Sequence, residues 1–390
     1  MVFGCPSCTR RKKIGVLDLT FAPSSAVKPL HARQGYGVGR YLDLLPAGNR
    51  PDWISLGEGG TPLVLSKHIG PTLGLSRLYF KNEAANPTGS FKDRFVCVSI
   101  NIARYFGFEK VVTTSTGNLG VSVAAYAAAS GMDCAIVLPQ EAPPAIVDEL
   151  RRFGAQVFMT SFARRIQVFE EVARSGAWFP IFATFQRPVQ NPFGIDGYKT
   201  FAYELTEQLG DAPQIVLFPC ARGNGLYGAW KGFRDVSRYG WSRAAPAMVA
   251  CQPVGSNSLE VSLARQSEHA IELPRAASIA KSAAEVVASD HALVALRESG
   301  GWAVSATDDE IQSATEELLH EGLAIETSAA LPIACLKQLV RRNLVPRDAS
   351  VVCVLTASGL RWPVAPPKEA PSTIKLPDNE SALDFLRVMK

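Results

Sequence analysis

Histidine, long apolar runs and an excess of either charge are what this chain of 390 residues has little of. No run of roughly eighteen apolar residues occurs, so no membrane-spanning helix is expected, and no apolar signal-like core precedes Cys5. Lys plus Arg number 40 and Asp plus Glu 36, a formal charge of +4. That is too slight and too scattered for a nucleic-acid or anionic-membrane partner. The short basic cluster from Arg10 to Lys13 has no interleaved aromatics and reads as a solvated arm. The five histidines stand apart, and the pair Cys5 and Cys8 has no second pair at zinc-ribbon or finger spacing, so no metal is expected. Other cysteines sit inside apolar strand-like runs, Cys134 and Cys353 among them, as reduced thiols do in a cytoplasmic protein. Repeats and low-complexity tracts are missing too.

What is present is a chain 47% hydrophobic and only 19% charged, the balance of a compact enzyme. Short apolar runs (110–115, 133–139, 155–160, 214–219, 247–252 and 351–356) alternate with helical patterns (119–130, 144–153, 165–174, 197–209, 225–237, 308–321 and 328–341). This alternation predicts α/β architecture: two open, twisted parallel sheets, each with helices on both faces. The expected division is an N-terminal arm over 1–50, a large domain from 51–95 and 206–365, a small domain over 96–205, and a Pro-rich tail over 366–390.

Four loops carry candidate chemistry. In NEAANPTGSFKDRF, Lys92 stands between Phe91 and Asp93. It is either the solvated start of a helix or a lysine whose partly apolar setting favours the neutral amine, as attack on a carbonyl requires. In LFPCARGNGLYGAWKGF, an apolar strand passes through a Gly-rich turn into a helix, a setting that binds phosphate through backbone N–H groups. Gly223, Gly225 and Gly228 spell G-x-G-x-x-G, but the next strand ends in Gln252 with no acidic residue for a ribose, so a dinucleotide is not supported. In TTSTGNLG, hydroxyls and an amide crowd the start of an Ala-rich helix, which one N-cap would satisfy; a carboxylate-plus-ring-oxygen site accounts for the surplus. In VVCVLTASGLRWP, Thr356 and Ser358 follow an apolar strand, at the sheet edge where α/β proteins bind ligands.

These segments together resemble the pyridoxal-phosphate enzymes of the tryptophan-synthase-β fold, fold type II, and within them the threonine synthases. ISLGEGGTPLV (54–64), NPTGSFKDR (86–94), STGN (115–118), NPFGIDGYKTFAYEL (191–205), EGLAIETSAALPIA (321–334) and LTASGL (355–360) follow in the family's order. The resemblance implies pyridoxal 5'-phosphate as cofactor, joined to Lys92 as a Schiff base. It implies Asn118 on the ring oxygen, Ala221, Arg222, Gly223, Asn224 and Gly225 around the phosphate, and Thr356 or Ser358 facing the ring nitrogen. Ser115 and Thr116 would hold the substrate carboxylate, and the chain would work as a homodimer.

The departures concern the substrate. Threonine synthases carry an Asn-Ser pair and an arginine that grip the substrate phosphate; here Pro188, Val189 and Gly194 stand in their place. Leu119 and Gly120 replace the usual Thr-Ser, and Arg222 replaces a small polar residue. Losing those donors removes charge-assisted bonds worth roughly 1.5–3 kcal/mol each, so a phosphorylated substrate would need Arg94, Arg187 or Arg222. The expected activity is elimination or replacement at Cβ or Cγ of an activated amino acid other than O-phosphohomoserine. The alternatives are a threonine synthase itself, a cysteate-synthase-like β-replacement, a serine or threonine dehydratase, and a non-catalytic metabolite-binding relative.

Overall fold

A computed structural model of the chain describes residues 17–20, 27–46, 48, 50–115, 117–182 and 191–361. In chain order its strands are β1 (Leu63–Leu65), β2 (Leu78–Asn82), β3 (Lys110–Thr113), β4 (Asp133–Pro139), β5 (Gln156–Thr160), β6 (Phe179–Pro180), β7 (Ile215–Pro219), β8 (Ala247–Pro253), β9 (Trp302–Ala306) and β10 (Val351–Leu355). They form a six-stranded sheet ordered β1-β2-β10-β7-β8-β9 and a four-stranded sheet ordered β5-β4-β3-β6. Every pairing is parallel except that of the edge strand β1 with β2.

Both faces of the large sheet are covered, which is why its central strands are apolar without interruption. Along β7, Ile215 and Leu217 join one hydrophobic cluster with Val249, Cys353 and Leu336. Val216 and Phe218, pointing the other way, join a second cluster. That second cluster also holds Val112 and Ile136 of the small sheet, so the two sheets share one core through the helices between them. Chief among these are the helices Lys92–Tyr105 and Asn118–Ser130.

The apolar runs listed above correspond to β3, β4, β5, β7, β8 and β10, and the seven helical patterns each contain a helix. The strands β1, β2, β6 and β9 carried no such signal. Nor did the helix Lys92–Tyr105, because burial almost all round leaves it no polar stripe and FVCVSINIA reads as readily as a strand. The boundaries expected at 95/96 and 205/206 fall inside the helices Lys92–Tyr105 and Lys199–Leu209. Cys5, Cys8 and the tail over 366–390 lie outside the described residues.

Candidate active site

Lys92 is the first residue of its helix, and the loop before it is tied down twice. Ser90 and Ala357 form an antiparallel bridge, with the Phe91 amide donating to the Thr356 carbonyl at 2.9 Å and the Ser358 amide to Gly89 at 2.9 Å. This zipper brings residues from opposite ends of the chain together and sets Thr356 beside the lysine. Asp93 makes the second tie. It accepts from the Thr88 amide (2.7 Å), the Thr88 hydroxyl (2.6 Å) and the Ser122 hydroxyl (2.6 Å), joining the loop to the helix Asn118–Ser130. Burial raises the Asp93 pKa to about 6 against those three donors.

Lys92 lines a cavity of about 430 Å³. Its amine lies 4.3 Å from the centre of the Phe91 ring. Burial, and then the charge of Arg222, bring its pKa down to about 8, with Glu326 pulling the other way.

The opposite wall is the turn from Ala221 to Gly225, which ends in the helix Asn224–Arg238. Gly223 has a φ of +77°, and a Cβ there would come within 2.4 Å of the Ala292 Cβ. A Cβ on Gly225 would meet the Phe91 ring at 2.7 Å and the Phe218 ring at 2.8 Å. Packing therefore requires both glycines, and the turn they allow lines the cavity at a helix N-terminus, a setting suited to a phosphate. Asn224, only 5% exposed, has an amide oxygen without a hydrogen-bond partner, as does the buried hydroxyl of Thr114 on the cavity wall. Arg222 donates to Glu285 at 3.2 Å and lies over the Phe182 ring at 4.8 Å.

Ser115 and Asn118 also line the cavity. Gly120 is packed against the Ser115 carbonyl, and a Cβ would come within 2.5 Å of that oxygen. The Asn118 side-chain amide donates to Glu326 at 2.8 Å and accepts from Arg361 at 3.2 Å. Glu326 in turn accepts from the Ser282 hydroxyl. Glu326 lies in a segment that carried the resemblance, but nothing in its local pattern assigns it a role; its contact with Asn118 spans 208 residues.

Some sequence-predicted residues fall elsewhere. Thr356 lines the cavity, whereas Ser358 sits behind it, its hydroxyl accepting from the Leu360 amide at 3.2 Å. Arg94, expected toward the substrate phosphate, is turned away and 1% exposed, locked between Glu83 (2.8 Å) and Glu204 (2.7 Å). Its helix places it two residues, and so roughly 200°, round from Lys92. Thr116, Arg187, Pro188 and Val189 lie outside the described residues. Gly194 is packed so tightly that a Cβ would lie 2.3 Å from the Ser99 hydroxyl and 2.5 Å from the Phe95 ring, so no arginine side chain could leave from it.

Comparison with known proteins agrees with this geometry. The family model described as "Pyridoxal-phosphate dependent enzyme" matches residues 54–357. The threonine synthase of Methanocaldococcus jannaschii is 33% identical over 347 residues, covering 87% of this chain and 84% of that protein. That of Methanosarcina acetivorans is 30% identical over 373 residues, covering 93% and 89%. The processed form of threonine deaminase isoform 2 from Solanum lycopersicum has the same fold, with a TM-score of 0.67 at 20% identity over 89% of this chain and 96% of that one. Maize serine racemase gives 0.66 at 23% identity over 77% and 88%.

The cavity fits the cofactor of such proteins. It offers an amine of lowered pKa, a glycine-containing turn at a helix N-terminus, and buried polar atoms without partners. The chain belongs to the fold-type II family of pyridoxal-phosphate dependent enzymes, and pyridoxal 5'-phosphate is its cofactor.

Proposed function

We propose that the protein is a lyase that performs elimination or replacement at Cβ or Cγ of an L-amino acid with an activated side chain, and that its preferred substrate is not O-phosphohomoserine. The observation carrying this reading is the Lys92 amine, with a pKa of about 8, in one cavity with the Ala221–Gly225 turn and Thr356. Pyridoxal phosphate supplies a carbonyl for the substrate amine and an electron sink for charge at Cα. Lys92 holds the cofactor and afterwards moves the Cα proton, since an amine with a pKa near neutrality serves as both acceptor and donor. The 221–225 turn takes the phosphate on its amides, and Asn118, oriented by Glu326 and Arg361, donates to the ring oxygen. Ser115, with Thr116, receives the substrate carboxylate. Thr356, on the cavity wall, would offer the ring nitrogen a neutral hydroxyl rather than a carboxylate, a setting that would favour elimination and replacement over amino-group transfer.

The test is covalent. Borohydride reduction of the loaded protein should abolish its visible band and fix the cofactor to Lys92, and peptide mapping that found it on another lysine would overturn the assignment. A second reading, a threonine synthase proper, is supported by the two relatives of that name at 33% and 30% identity. Side-by-side assays of O-phosphohomoserine, O-phosphoserine, serine and threonine separate the two. Phosphate release with threonine as product establishes the second, and better turnover of another substrate the first. The resemblance also implies a homodimer working in the cytoplasm, and sedimentation analysis of the loaded protein tests the assembly.

A further inference from the structure

Four cations line the cavity among the described residues: Lys92, Arg165, Arg222 and Lys281. Only one carboxylate, Glu285, lines it with them. Arg165 comes from the first turn of the helix Arg164–Arg174, beside the small sheet. Arg222, Lys281 and Glu285 come from the side of the large sheet, so the charges meet across the cleft. Each arginine is seated on an aromatic ring: Arg165 lies 4.0 Å from the centre of Phe162, and Arg222 lies 4.8 Å from Phe182. The Arg165 Nε is buried without a hydrogen-bond partner. Its guanidinium is pushed down by burial, held up by Glu285, and pushed down again by the charge of Arg222, which lines the same cavity. Glu326 stands at the edge of the same cavity, bonded to Asn118 and Ser282 and acting on Lys92. With Arg222 assigned to the cofactor phosphate and Glu326 to the Lys92 side, Arg165 and Lys281 are left with Glu285 among the described residues. Gly194 cannot supply a cation, because its packing leaves no room for a side chain.

We propose that Arg165 and Lys281, with Arg222, form the subsite for a second anionic group on the amino-acid substrate, a carboxylate or a phosphate ester, and that Glu285 stands in for that anion when no substrate is bound. The proposal rests on the cofactor reading for the placement of the substrate's α-amine at Lys92. A guanidinium offers the planar two-point grip that either anion needs, and the lysine adds a point charge. Glu285, whose side chain is 36% exposed, can turn to solvent when the substrate anion arrives.

The pyridoxal-phosphate-loaded protein is titrated with L-serine, O-phospho-L-serine, O-phospho-L-homoserine, L-aspartate and L-glutamate. Binding is read from the change in the visible band and independently from the shift in thermal unfolding. At least one anionic amino acid should bind about tenfold or more tightly than L-serine, and the better arm, phosphate or carboxylate, names the occupant. Arg165→Gln and Lys281→Gln should each erase most of that preference while keeping the visible band, and Glu285→Gln should strengthen it by removing a competing charge. Equal binding of serine and every anionic ligand, or a preference that survives Arg165→Gln, overturns the subsite. A missing visible band with the thermal preference intact overturns the cofactor reading and leaves the subsite supported.

Discussion

Lys92 and Arg94 stand two residues apart at the start of one helix and enter opposite surroundings. Arg94 enters a closed set of four charges. It pairs with Glu83 at 2.8 Å and Glu204 at 2.7 Å, and Lys81 pairs with Glu204 at 2.9 Å. Thr61, Thr200 and Gln208 fill the remaining hydrogen bonds. Two cations meet two carboxylates, and the set excludes solvent. Against the upward push of burial, Arg94 and Lys81 hold Glu204 down to about 2. Lys92 enters the cavity instead, where cations outnumber carboxylates among the described residues. Both regions are rich in basic residues, and composition alone does not separate them. The charge balance does: the buried set is matched cation for carboxylate, whereas the described cavity residues carry more cations than carboxylates, the surplus on which the proposed subsite rests.

The sharpest way to break this comparison is to exchange the outcomes. Lys92→Ala should leave the fold intact, abolish the borohydride-sensitive band and lower turnover by about 10³-fold or more, read by steady-state assay on the best substrate. Its thermal unfolding midpoint should stay close to that of the wild type. Arg94→Met should do the reverse. It leaves two buried carboxylates facing Lys81 alone, which costs about 3–5 kcal/mol and is read from the urea midpoint. Adding Glu83→Gln to Arg94→Met restores the balance and should recover part of that loss, so the two effects should not add. Additive losses would show that the quartet is not a charge-matched unit.

A smaller effect tests the packing at Gly194. Gly194→Ala places a Cβ 2.3 Å from the Ser99 hydroxyl, against the Lys92 helix. Overpacking should cost about 1–3 kcal/mol in urea unfolding. An unchanged midpoint would mean that the helix Pro192–Gly197 can yield and that a side chain fits there.

How far these features were legible in the sequence depended on distance along the chain. The Lys92 loop, the 221–225 turn and Thr356 were legible because each is a local pattern of turn residues beside an apolar run. The opposite fates of Lys92 and Arg94 were not, because the helix that carries both is buried on nearly every face, charged residues included, and gave no clear period. Arg165, Lys281 and Glu285 were not legible either. Each is an ordinary surface residue in its own segment, and only the packing of the small sheet against the large one makes them neighbours. Arg361 and Glu326 reach Asn118 across 243 and 208 residues, a relation that no motif spacing encodes.

The smallest expected effects sharpen the comparison at Lys92 itself. Attachment of pyridoxal phosphate to the cofactor-free protein requires the neutral amine, so its rate should rise with pH through the folded pKa of Lys92. That midpoint should fall near 8, not near the 10.5 of an ordinary lysine. The neighbouring charges then fix the direction in which each substitution moves it. Glu326 favours the protonated amine, so Glu326→Gln should move the midpoint to lower pH. The Asn118 contact can survive in that variant, because a glutamine oxygen still accepts from the amide. Arg222 disfavours the protonated amine, so Arg222→Gln should move the midpoint to higher pH. Both shifts should be smaller than the displacement caused by burial, which is the larger influence on this group. Stopped-flow measurement of the growing visible band between pH 6 and 11 reads all three midpoints. A wild-type midpoint near 10.5, or shifts of the same sign in the two variants, would show that Lys92 is not set by burial with Arg222 and Glu326 acting in opposite directions.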